Sequence, residues 1–130
     1  MKSLDALPLR IRALLFGLSL LSGAMFARLL AQERSASMGF MQRMNASMTE
    51  MDGAMKAAPM NGNVDHDFAA MMIPHHKGAI AMAEAELLYG KDPTMRRLAQ
   101  EIVVDQKSEV DAMNLWLAKQ SKAPHKEMKK

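Results

Sequence analysis

Five residues, Tyr89-Gly90-Lys91-Asp92-Pro93, constrain this chain more than any other feature. On the C-terminal side Met95, Leu98, Ala99, Ile102, Gln106, Val110, Met113 and Leu117 recur at spacings of three and four, one stripe on one helical face. On the N-terminal side Phe68, Met72, His75/His76, Ala79, Ala83 and Leu87 form the matching stripe. A connection this short forces the two helices antiparallel, as a hairpin. Gly90 is expected to close the first helix in the left-handed conformation. Asp92 then offers an N-cap oxygen, and Pro93 fits the first helical position, where no N–H is needed. Pro59 and Gly62 mark a break before Asp65, the expected N-cap of the first helix. Pro74 lies within that helix and predicts a kink, because its ring displaces the carbonyl of Ala70. The alternative is a true helix start at Pro74; the register of Phe68, Met72 and His76 across it favours the kink. No run alternates with period two, so the class is all-α.

The stretch before the hairpin divides in two. Lys2, Arg10 and Arg12 precede an uncharged run from Ala13 to Ala27, the pattern of a secretory signal. Ser22-Gly23-Ala24 supplies small residues for cleavage, and Leu29-Leu30-Ala31 a poorer second choice. Left uncleaved, the segment extends through Arg28 to Leu30 as an N-in membrane anchor, with Arg28 snorkelling. Either outcome places the remainder outside the cytoplasm, in the periplasm or anchored at the inner membrane. The organisation is therefore a leader or anchor helix at 1–31, a Met-rich helical segment at 32–63, the hairpin at 64–118 and a basic tail at 119–130.

Charge excludes one class of partner. Residues 32–118 carry 8 basic and 12 acidic side chains, and the positive balance sits in the tail, with five Lys against one Glu. Nucleic-acid binding needs a basic face to displace counterions, and the central region has the opposite sign.

Of 15 Met in the chain, seven fall between residues 32 and 63, which contain no Leu, Ile or Val. Met41, Met44, Met48, Met51 and Met55 follow the 3, 4, 3, 4 spacing of a helix packed on a neighbour. Core filling by Met is the bland explanation. The two later helices, however, build their stripes from Leu, Ile, Val, Ala and Phe in the ordinary way. With no Cys in the chain, thioethers are the soft ligands available, and these favour Cu(I), with Ag(I) suited by the same softness.

Met72-Ile73-Pro74-His75-His76 is the sharpest local feature. Met72 stands three and four residues before the two imidazoles, on one helical face, and Met82 lies one heptad after His75. Pairing the helices about Gly90 sets His75/His76 opposite Gln106 and Val110, with Met113 opposite Phe68–Met72. Gln106 is placed to hydrogen-bond an imidazole nitrogen. The candidate metal ligands are Met72, His75, His76, Met82 and Met113 in the hairpin and Met44, Met48 and Met51 in the Met-rich helix. Asp65-His66-Asp67 reads as a helix cap complementing the dipole. Glu84, Glu86, Glu101, Asp105, Glu109 and Asp111 read mainly as solvated charge. With no Glu-x-x-His pair, no H-E-x-x-H, no phosphate loop and no Gly-x-Ser-x-Gly, nothing marks an enzyme.

The segment from Asp65 to Leu117 resembles the domain of unknown function 305 family. The resemblance rests on Asp65, Phe68, Met72, Ile73, His75, His76, Ala79, Ile80, Met82, Ala83, Gly90, Ala99, Ile102, Gln106, Glu109, Val110, Met113, Trp116 and Leu117. It implies a ferritin-like antiparallel helical bundle in an exported protein. Some members are periplasmic, Met/His-rich copper- and silver-binding proteins linked to metal resistance. Larger members carry two hairpins. This chain has one, so a four-helix bundle needs the Met-rich helix and a further element, or a second subunit in a homodimer.

The expected function is an exported protein that buffers, stores or transfers Cu(I) or Ag(I), with affinity falling as acid protonates imidazole. The alternative is an interaction module whose Met-rich helix forms a dimer or partner-helix interface without metal. A third reading is an oxidant sink, in which exposed Met is oxidised reversibly.

Overall fold

The computed structural model describes residues 8–122, the side chains of residues 9–22 and 122 excepted. The tail beyond 122, with His125, and the first residues of the leader lie outside that range. Three helices follow in order, α1 (Leu9–Lys56), α2 (Val64–Tyr89) and α3 (Pro93–Lys122), with no strand among the described residues. No helix among the described residues is long and apolar enough to cross a membrane. The chain divides into two compact units, Met1–Met38 and Gly39–Lys130. In the first, the side chains described, from Gly23 on, are largely exposed. The second holds the end of α1 together with α2 and α3, and contains every candidate ligand.

Local chemistry sets the ends of α2 and α3. Asn63, and not Asp65, is the N-cap of α2: its side-chain oxygen accepts from Asp65 N at 3.0 Å and His66 N at 3.1 Å. Gly62 precedes it with φ +84°, a left-handed turn that suits glycine. Asp65 and Asp67 then sit in the first turn, complementing the helix dipole. At the other end Gly90 is extended (φ −69°, ψ 147°) and not left-handed, though its N–H still reaches Glu86 O at 2.7 Å. Glycine is needed there for space: a Cβ would lie 2.7 Å from the Glu86 carbonyl oxygen. The last carbonyls of α2 are satisfied from α3, since Arg96 donates to Leu87 O at 2.6 Å and Gly90 O at 2.9 Å. Asp92 caps α3 as expected, accepting from Thr94 N and Met95 N at 2.9 and 3.0 Å. α2 runs unbroken through Pro74, so Asp65–Ile73 is not a separate turn.

Within the second unit α2 stands between two antiparallel neighbours. Met51 of α1 meets α2 at Gly78, and Gly39 meets Tyr89, whose ring stacks edge-on with Phe40 at 6.5 Å. On the other side His76 and Glu84 of α2 reach Glu109 and Lys107 of α3. The most deeply buried apolar positions are mostly small, namely Ala69, Ala70, Ile80, Ala83, Ala85, Ala99 and Val110, with Gly78 beside them; larger side chains such as Ile73, Leu87, Ile102 and Leu117 are half-buried, and among the described residues no large side chain is fully buried. Burial on two sides of α2 is why its stripe is broader than the sequence suggests. Three expected core positions are exposed instead: Phe68 of α2 at 62%, and Met95 and Leu98, at the start of the α3 stripe, at 47% each. The Met-rich stripe also divides. Met44, Met51 and Met55 are half-buried, whereas Met41 and Met48 are exposed.

Candidate metal site

The hairpin brings the two imidazoles to the inner surface of α2. His75 and His76 are both partly buried, their rings 5.8 Å apart and inclined at 64°. His76 Nε2 lies 2.8 Å from Glu109 Oε2, and the His76 side chain is only 14% exposed. An ionised carboxylate only accepts, so Nε2–H is the donor. In the neutral ring that leaves the lone pair on Nδ1. His76 Nδ1 is buried and has no hydrogen-bond partner, and the same holds for His75 Nδ1 and Gln106 Oε1. A buried polar atom left unpaired costs about 1–3 kcal/mol. Of the two ring atoms, His76 Nδ1 presents a lone pair, because its Nε2 carries the proton donated to Glu109.

Gln106 thus sits where the sequence placed it but does not bond an imidazole. Glu109 does, although the sequence put it among the solvated carboxylates. Its side chain is 59% exposed, and only one edge reaches inward. Pairing about Gly90 sets residue 76 between 106 and 110, so the same rule already contained Glu109. What it lacked was the side chain's direction.

The remaining candidates are more dispersed. Met72 is half-buried one turn before the imidazoles. Met82 is half-buried nearly two turns after them. Met113 of α3 lines a cleft of about 260 Å³ with Asp65, Phe68, Ala69 and Trp116, beside the start of α2. Met51 packs on Gly78, Met44 is half-buried, and Met48 is 48% exposed. Among the described residues no three of His, Asp and Glu come together as a metal-binding group. Asp65-His66-Asp67 does structural work: Asp67 accepts from Asn61 N at 2.8 Å, Gly62 N at 3.0 Å and the His66 ring at 3.1 Å. The Asn61 N–H, then the His66 ring, hold the Asp67 carboxyl below the usual carboxylate range.

Residues 21–117 match the family described as "Domain of unknown function (DUF305)". The chain belongs to the DUF305 family. Among curated proteins, the DUF305 chain is similar to uncharacterized protein L153 of Acanthamoeba polyphaga mimivirus. The two are 38% identical over 50 residues, 38% of this chain and 33% of the viral protein. The match spans about a third of that relative's length. The family, like this relative, carries no stated activity, so function has to be argued from the DUF305 chain's own donors.

Proposed function

We propose that this DUF305 protein is an exported carrier of Cu(I), and of Ag(I) by the same softness, that buffers, stores or passes on metal without catalysing a reaction. The observation that carries the reading is the pair of buried, unpartnered Nδ1 atoms on His75 and His76. Glu109 supports it by holding the His76 proton on Nε2, the orientation that second-shell carboxylates give to ligating histidines. Met72, one turn away on the same helix, supplies the nearest thioether in sequence, and Met82 and Met113 extend the set along the hairpin. Met44, Met48 and Met51 form a separate group on α1. Neutral donors bind a monovalent soft ion without compensating its charge, which suits an exchangeable cargo. The N-terminal signal pattern supports export, to a compartment where thiols are oxidised and thioethers persist.

The test is anaerobic titration of the full chain with Cu(I) in native mass spectrometry, against a Cu(I) chelator and with Zn(II) as control. Adducts that survive the chelator and are lost in His75→Ala/His76→Ala support the reading, and Met44→Leu/Met48→Leu/Met51→Leu apportions the α1 group. If the wild-type chain retains no Cu(I) against the chelator, the reading fails. Export is tested separately, by fusing residues 1–31 to a reporter enzyme active only outside the cytoplasm; an inactive fusion sinks it.

A further inference from the structure

We propose that the cleft between the start of α2 and the later turns of α3 binds a small quaternary ammonium solute. The inference is independent of metal. It starts from register. The His76–Glu109 contact, in an antiparallel pair, sets residue 69 of α2 level with residue 116 of α3. Trp116, the only Trp of the chain, therefore stands across from Phe68 and Ala69. Asp65 lies one turn before them on α2, and Ala112 and Met113 lie one turn before Trp116 on α3. These six residues bound the cleft of about 260 Å³. Ala69 and Ala112 are small and leave the space between the larger side chains. Phe68 is exposed, and among the described residues neither its ring nor that of Trp116 stacks on another ring. Asp65 is exposed and forms no ion pair among the described residues. No Lys, Arg or His lines the cleft. Two ring faces and a carboxylate are thus left to a ligand.

The lining selects the ligand's class. Aromatic ring faces carry negative potential and attract a cation, and a carboxylate beside them adds a full charge. A primary ammonium brings three N–H donors, and Asp65 supplies the one strong side-chain acceptor of the cleft. A quaternary ammonium has no donor to satisfy. It presents methyl groups, which suit two rings, a thioether and two alanine methyls. Size points the same way, because the cleft is smaller than the roughly 300–1,000 Å³ that holds a drug-sized molecule. A lipid headgroup with the same ammonium would bring a phosphate towards Asp65, in a region that already carries 12 acidic against 8 basic side chains over residues 32–118. The occupant is therefore the free cationic solute.

The test uses the full chain, metal-free and at constant ionic strength, with choline as the probe. Two analogues isolate the features argued for. The neutral isostere, in which carbon replaces the nitrogen, keeps choline's shape without its charge; ethanolamine keeps the charge without the methyl groups. Binding is read from the emission of Trp116, unambiguous in a chain with one Trp, and from saturation transfer onto the ligand's protons. We expect saturable binding of choline, with the isostere, ethanolamine and phosphocholine all weaker. Phe68→Leu should weaken choline about 2- to 5-fold, the size of one exposed cation–π contact, and Asp65→Asn should weaken it as well, both with helicity retained. No saturable binding of choline overturns the proposal. So does an isostere that binds as well as choline, which makes the cleft simply apolar, or ethanolamine that does so, which leaves only a surface charge. Phosphocholine binding more tightly than choline moves the occupant to a lipid headgroup and overturns the free solute. Every arm is run without copper and leaves Met113 in place, so failure here leaves the metal reading standing, and the reverse.

Discussion

Gly53 and Gly78 are both helical and respond oppositely to a methyl group. Around Gly53 no side chain stands within 4 Å of a built Cβ, so Gly53→Ala should stabilise the fold by about 0.5–1 kcal/mol through helix propensity alone. At Gly78 the Cβ would lie 2.7 Å from Met51 Cβ, too close to the α1 backbone for rotation to relieve. Gly78→Ala should cost about 1–3 kcal/mol in urea unfolding. Asp67 gives a pH signature. Its carboxyl is held below the ordinary range by Asn61, His66 and Gly62, so the folded state binds the proton less readily than the unfolded chain. The stability it contributes is present above that range and is lost as pH falls through the folded value. Asp67→Asn should therefore melt lower than wild type at neutral pH, and the gap should close in acid below about pH 4. Glu109→Leu should weaken Cu(I) binding about 10- to 100-fold in chelator competition. Glu109→Gln, which keeps an acceptor for Nε2–H, should restore most of it, and ¹⁵N shifts of the His76 ring should show the proton on Nε2 in both wild type and Glu109→Gln. The half-buried placement of the two imidazoles on α2 was legible from their spacing after Met72. The Glu109 contact was not, because a glutamate on a helix flank has the same sequence signature whether it reaches inward or into water.

Among the elements, the hairpin was the most legible part, because its joint is written in backbone chemistry. Asp92 and Pro93 act at the positions their side chains demand, and Asp92→Ala should cost about 1 kcal/mol in thermal or urea unfolding. Gly90 is extended and not left-handed, so the proximity of Glu86 and not a positive φ selects glycine there. The start of α2 was misplaced by two residues because Asn63 and Asp65 are equally good caps in isolation. What decides is Asp67, which folds the Asn61–Gly62 turn back onto itself and leaves Asn63 at the helix entrance. The even Met41–Met55 spacing suggested one buried stripe. Contact with a single neighbour, however, buries only part of a helix's circumference, so Met44, Met51 and Met55 turn inward and Met41 and Met48 do not.

At the scale of the molecule, the all-helical class and the antiparallel order of α2 and α3 followed from periodicity and the short joint. The central place of α2 did not. Its apolar residues are small and spread around the helix, and small residues mark a close approach without saying from which direction.

Seams made of alanine have a mechanical consequence. Large side chains interlock and fix both the spacing of two helices and their position along the axis. Methyl groups fix the spacing and leave the axial position almost free, because their ridges are shallow. Around α2 the register then rests on the short joint with the Arg96 bonds to Leu87 O and Gly90 O, and on a few pins: Met51 seated at Gly78, Tyr89 over Gly39, and His76 held by Glu109. One of these pins is also the proposed metal ligand. Loading the site would then do more than fill it, because it would tighten the pin that keeps α2 from sliding past α3.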